Sequence, residues 1–287
     1  MNNALPPRPV VVAVDGSDAA IGAAEWAAKE AVHHAVALRL VHVIHESADL
    51  DGPERQYSES ALHAACSAVK ATGLPVEVDT EVLHGDVGAA LIGESESATL
   101  VCVGSAGIGR VAAAVLGSTA ATLAERARCP VAIIRRSHGR PLPEAGFIVV
   151  ILDGDPGDEN AMRWGMEEAR VRRAPVLALG VWSWPHFDID NERVYRRLNH
   201  WLHRYPDVKV EVATTRLSAQ RYLQTFIGAI QLVVIGHGGA DRVLQLVGPH
   251  KVPIRAHADC SVLVAHGAEQ TDDNERGCPP APERSVL

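Results

Sequence analysis

Residues 104 to 118 read Gly104-Ser-Ala-Gly107-Ile-Gly109-Arg110-Val-Ala-Ala-Ala-Val-Leu-Gly117-Ser118. Glycine has no Cβ, so Gly107 and Gly117 let backbone N–H groups approach an anion from the two ends of one loop. Leu100 to Val103, just before, reads as a buried parallel strand, and Ala120 to Ala127, just after, as a helix. Ser118 then stands at a helix start, where unpaired donors and the helix dipole favour negative charge. The chemistry on offer is phosphate binding by main chain. No Gly-x-x-x-x-Gly-Lys-Ser/Thr and no Ser-Gly-Gly-x-Asp-Ser loop occurs in the chain. Without a lysine or a positioned base, such a loop holds a triphosphate better than it cleaves one. Arg110 either meets a terminal phosphate or is a solvated loop arginine; its residue type fits both.

Upstream, Val10-Val-Val-Ala13-Val-Asp15-Gly16 is an apolar strand closed by a carboxylate. Ser17 and Asp18 also read as caps of the next helix. Asp15, placed before the turn, can accept hydrogen bonds from ribose hydroxyls or face Mg²⁺ carried by phosphates. In an open α/β sheet the ligand crevice lies beyond the carboxyl ends of the strands, where the strand order reverses. With the order 3-2-1-4-5, strands one and four flank that point, and Asp15-Gly16 converges with Gly104 to Gly107. Gly107-x-Gly109-x-x-Ala112 resembles a dinucleotide fingerprint, but it follows a fourth strand and lacks the required helix start, so that reading is rejected.

These motifs need a sheet to place them. Strands are expected near 9–14, 37–44, 76–82, 99–104 and 130–135, and helices near 18–34, 56–72, 86–97 and 117–128. The pattern then repeats. Ile148 to Gly154 answers Val10 to Gly16, Trp164, Glu168 and Ala169 answer Trp26, Glu30 and Ala31, and Val181 answers Val43. Leu232 to Gly236 answers Leu100 to Gly104, and Cys260-Ser-Val262 answers Cys129-Pro-Val131. The expected architecture is α/β: two tandem Rossmann-like domains, 9–136 and 147–266, each a doubly wound five-stranded parallel sheet with helices on both faces. Residues 137–146 read as a proline-fixed linker, and 1–8 and 267–287 as disordered. The last strand of each copy, Val131 to Ile134 and Ser261 to Ala265, is an apolar edge. Pairing of these edges would give an intrachain pseudo-dimer, with homodimerisation of whole chains a further expectation.

Composition narrows the classes. A net charge of -8 with no dense Lys/Arg run argues against nucleic-acid or anionic-membrane partners. Arg170, Arg172 and Arg173 read as a solvated helix end. No apolar run approaches the roughly 20 residues of a membrane span, and no signal-peptide pattern opens the chain, so a cytoplasmic protein is expected. Five widely separated cysteines without a C-x-x-C pair suggest neither disulfides nor zinc, and Cys102, Cys129 and Cys260 read as buried and inert. The fourteen histidines lack ligand spacing, and no Gly-x-Ser-x-Gly marks a hydrolase nucleophile.

The strand ending in Asp15 and the run Gly104-x2-Gly107-x9-Gly117-Ser118 together resemble the universal stress protein family, and the tandem copy resembles its two-domain actinobacterial members. The resemblance implies a Rossmann-like domain that holds ATP and serves stress responses, often as a dimer. It places adenine beside Val43, the ribose or metal end at Asp15, and the phosphates within the glycine loop and Ser118. Ala13, Gly109, Arg110 and Thr119 complete the expected nucleotide contacts. Ala120 stands where a hydroxyl often supports the phosphate, a loss of about 1.5–3 kcal/mol if that bond was charge-assisted.

The second copy keeps Gly236 and Gly239, but an eight-residue gap closes on Gly248-Pro249. Pro249 has neither N–H nor hydroxyl. His237, Asp241 and Gln245 would line a loop unsuited to anions, so the second domain is expected to pack or regulate with no nucleotide bound. The expected function is nucleotide-dependent signalling to an unidentified protein partner, with little or no turnover. A slow ATPase or nucleotide-dependent enzyme, and a scaffold with a vestigial motif, stand as alternatives.

Overall fold

The computed structural model describes residues 7–45, 52–105, 116–135, 146–181, 191–223, 225, 229–247 and 260–267. In the first half, β1 (Val10–Ala13), β2 (Leu38–Ile44), β3 (Val78–His84), β4 (Leu100–Gly104) and β5 (Val131–Ile134) alternate with helices. These are α1 (Asp18–His34), α2 (Pro53–Ala71), α3 (Val87–Ser95) and α4 (Ser118–Arg126). The second half carries β6 (Phe147–Leu152), β7 (Val176–Val181), β8 (Val210–Thr215), β9 (Ile230–Gly236) and β10 (Ser261–Ala265). Its helices are α5 (Asp158–Arg172), α6 (Asn191–Arg204), α7 (Ala219–Leu223) and α8 (Val243–Val247).

The ten strands of the described residues join one sheet in the order β3-β2-β1-β4-β5-β10-β9-β6-β7-β8. Each half therefore has the 3-2-1-4-5 order expected from the sequence. Valine-rich strands such as β1 and β4 are buried on both faces, which fits a parallel sheet covered by helices. The halves meet where β5 and β10 run antiparallel, with Val262 opposite Ile133 and Val264 opposite Val131. This is the pairing of apolar edges anticipated above. Alternating strand residues feed two cores. Val10 and Val12 pack with α1 and α2 on one side, and Val11 and Val101 with Leu91 of α3 and Leu123 of α4 on the other.

The repeat reaches the level of single dihedrals. Gly16 and Gly154 have φ of +85° and +91° in corresponding turns, which only glycine adopts readily. Both α1 and α5 end on a left-handed residue, Ala35 at φ 53° and Arg173 at φ 50°, whose N–H returns to carbonyls of the last turn.

Three expectations change. Arg172 is not a solvated helix end: its side chain is 10% exposed and pairs with Glu30 and Glu168, both 1% exposed. The stretch after β9 is not a loop but a 3₁₀ turn, His237–Arg242, running directly into α8. Arg8 is held in place by Thr99, whose hydroxyl donates to its carbonyl at 2.6 Å. Residues 1–6, 136–145 and 268–287, which carry the remaining expectations for linker and termini, lie outside the described residues. Among the described residues no helix is long and apolar enough to cross a membrane.

Candidate functional site

The carboxyl ends of β1 and β4 part to form a cavity of about 190 Å³. One wall is the turn after β1, with Ala13, Val14, Asp15 and Ser17. This turn is built by its own side chains: an Asp15 carboxylate oxygen accepts from the Ser17 N–H at 3.0 Å. Ser17 Oγ in turn accepts from the Ala20 N–H at 3.2 Å, capping α1. The capping role of Ser17 is thus present, and one Asp15 oxygen is committed to the turn.

The opposite wall is the start of α4, with Gly117, Ser118, Thr119 and Ala120. Gly117 occupies the N-cap in extended conformation, makes no side-chain cap, and is followed by a first turn without acidic residues. Its own N–H donates to Ser105 O at 3.0 Å, which ties the helix start to the end of β4. Among the described residues no side chain caps the first-turn N–H groups of α4, which border the cavity, the arrangement that accepts an anion. Gly104 lines the floor, and a Cβ there would lie 2.8–2.9 Å from the Ala19 and Ala20 backbone, so glycine is what lets β4 and α1 approach.

Val41 and Val43 of β2 and Val87 and Leu91 of α3 make an apolar shelf beside this polar end. His42 between them also borders the cavity, but it is buried and its Nδ1 sits 2.7 Å from Val14 O. It is a satisfied core histidine that braces the turn.

The structure thus brings together Ala13, Asp15, Val43, Gly104, Gly117, Ser118 and Thr119. Gly107, Gly109 and Arg110 lie outside the described residues. Sequence reasoning missed the shelf residues Val41, Val87 and Leu91 and the brace Tyr57, whose hydroxyl donates to Asp15 O at 2.9 Å. Val41 was within reach, since alternate residues of one strand share a face. Tyr57 carried no local signal, being on a helix beyond a long connection. Among the described residues no three His, Cys, Asp or Glu side chains converge as a metal site.

The corresponding end of the second half is built differently. Asp153 repeats the turn of Asp15, with Oδ1 accepting from the Asp155 N–H at 3.2 Å. Its other oxygen pairs with Arg242, delivered by the 3₁₀ turn. Asp158 accepts from the Gly154 N–H at 3.0 Å, so acidic groups crowd this turn. Beside it the His237 and His266 rings lie 4.3 Å apart, tilted by 42°.

A crevice at the switch point of a parallel sheet, lined by a carboxylate turn, an apolar shelf and a helix start, defines a doubly wound α/β protein. Comparison with known proteins gives the particular family. The family model described as universal stress protein family matches residues 7–135. Universal stress protein Rv2624c of Mycobacterium tuberculosis is 42% identical over 260 residues, covering 90% of this chain and 96% of its own. Universal stress protein Rv3134c of the same organism is 41% identical over 278 residues, covering 93% and 99%. The crystal structure of a universal stress protein from Archaeoglobus fulgidus matches the fold with a TM-score of 0.65 at 15% identity, covering 90% of this chain and 96% of that one. The chain belongs to the universal stress protein family.

Proposed function

We propose that the first half binds an adenine nucleotide, ATP, between β1 and β4, and that occupancy of this crevice regulates contact with a protein partner. One observation carries the reading: the uncapped start of α4 faces the Asp15–Gly16 turn across a cavity whose far side is apolar. Phosphates match the α4 donors, a ribose matches Asp15, and a flat base matches the shelf of Val41, Val43, Val87 and Leu91. Mg²⁺ takes one or two carboxylates and completes its shell with phosphate and water oxygens. Asp15 is a hard oxygen ligand of that kind at the right end of the crevice, and it would hold the ion while the ion neutralised phosphate charge.

Binding without turnover fits the described lining, where Asp15 is the charged side chain and neither lysine nor arginine takes part. The second half suits packing rather than nucleotide, since Arg242 is engaged by Asp153 and the surrounding carboxylates repel phosphate.

Substituting Ser118→Asp tests the reading. A carboxylate in the first turn of α4 improves the helix itself but repels phosphate. Titration calorimetry with ATP should show affinity reduced about tenfold or more, equivalent to about 1.4 kcal/mol, with no loss of thermal stability. Equal ATP affinity in wild type and variant would overturn the proposal. Phosphate release well above solution background, abolished by Asp15→Ala, would convert the protein from binder to enzyme.

A further inference from the structure

On the face of the sheet occupied by α1 and α5, the seam between the halves buries two carboxyl groups against one guanidinium. Arg172 of α5 reaches Glu30 of α1 with Nη2 at 2.9 Å from Oε1, and it contacts Glu168 on its own helix. Its guanidinium stacks on Trp26 at 4.7 Å. At the mirrored place, where the repeat puts His34, an imidazole lies 5.6 Å from Trp164. The two copies thus present Trp26, Glu30 and His34 opposite Trp164, Glu168 and Arg172.

The hydrogen-bond pattern is incomplete. Oε2 of Glu30 and Oε1 of Glu168 are fully buried and have no hydrogen-bond donor, while the other oxygen of Glu168 faces the Arg172 guanidinium. Buried carboxylate oxygens without donors are expensive, because neither water nor dipoles replace their solvation. A proton on one carboxyl group, donated toward the other, supplies the missing donor and removes one of two like charges. The other groups facing the pair do not supply it. Burial keeps the Cys102 thiol of β4 neutral, and burial lowers the His34 pKa against the pull of Glu30. His33, Arg163 and Glu167 act on His34 at the rim of the cluster. Burial first, and then Glu30, push the Glu168 carboxyl well above its ordinary value, with Arg172 opposing.

We propose that Glu30 and Glu168 hold one proton between them across the seam, forming with Arg172 a proton-linked latch between the two halves. The folded chain keeps this proton to higher pH than the opened chain does. The latch is therefore at full strength at or below the ordinary carboxylate range and weakens as pH rises toward the raised value.

The test compares the full-length wild type with Glu168→Gln, whose amide donates as the protonated acid does. Hydrogen exchange is followed at Ile133, Val262 and Val264 of the β5–β10 seam from pH 5 to 9, as the ratio between the two proteins. Wild-type protection should fall relative to the variant as pH rises, by more than tenfold across the range. Infrared spectra at pH 7 should show a protonated-carboxyl stretch in the wild type that the variant lacks. A protection ratio constant with pH, or a variant that retains the band, overturns the proposal. If Glu168→Gln does not fold, Glu30→Gln carries the same two measurements with the same outcomes.

Discussion

The Tyr57 hydroxyl donates to the main-chain carbonyl of Asp15 at 2.9 Å, so α2 holds the turn that carries the crevice carboxylate. The same contact closes the space around Gly16. A Cβ at Gly16 would lie 2.5 Å from the tyrosine oxygen, and φ there is already +85°. Tyr57→Phe should leave the fold intact and remove one hydrogen bond worth about 1 kcal/mol. Asp15 should then lose part of its fixed orientation. ATP affinity by calorimetry is expected to drop about fivefold, and unchanged affinity would mean that the brace is irrelevant to binding.

Gly104 offers a sharper perturbation. Its virtual Cβ meets backbone atoms of Ala19 and Ala20, which cannot rotate away as a side-chain end can. Gly104→Ala should cost about 1–3 kcal/mol by overpacking. Differential scanning calorimetry should record a melting temperature lower by several degrees, and no change would show that β4 and α1 can separate without penalty.

The halves should differ in stoichiometry. Asp15 and Asp153 occupy equivalent turns, but Asp153 is paired with Arg242. Titration should return one nucleotide per chain. Asp15→Ala should weaken binding, while Asp153→Ala should leave it within twofold of the wild type; two equivalent sites would refute the assignment.

A second pH effect belongs to His266, beside α4 of the first half. Burial, with the nearby His237 adding to it, lowers its pKa to about 4, against a weaker pull from the Ala124 carbonyl. Between that value and the ordinary 6.5, the unfolded chain binds more protons than the folded one. Its contribution is complete above pH 6.5 and is lost as pH falls toward 4, by at most about 3 kcal/mol. Urea unfolding at pH 7 and pH 4.5 should show the loss in the wild type. In His266→Asn the loss should shrink, and an identical loss would point to other groups.

The sheet order was readable because β-branched runs, helix periods and a repeated Asp-Gly turn all agreed on one topology. The crevice was readable for the same reason: topology alone brings Asp15 beside Gly117, far apart in sequence. What stayed hidden depends on contacts between distant helices. The matching of Trp26 and Glu30 with Trp164 and Glu168 was visible as repetition, yet nothing local showed that the copies face each other. Arg172 was misread for that reason. A charge at a helix C-terminus is normally solvated, and only the neighbouring α1 turns it inward. The 3₁₀ turn after β9 was missed because retained glycines suggested a loop, whereas His237 to Arg242 fold into a short helix that brings Arg242 to Asp153.

The continuous seam between β5 and β10 has a consequence for how the chain can vary. Two identical subunits meeting around a two-fold axis must use every interface residue twice, so each substitution changes both sides at once. Here the two sides are encoded separately. His34 and Arg172 sit at matching places and yet differ in charge, so one cation faces two carboxyl groups, an imbalance that no strictly symmetric pair of subunits could hold. Covalent duplication has turned a mirrored contact into one whose two sides can be tuned independently.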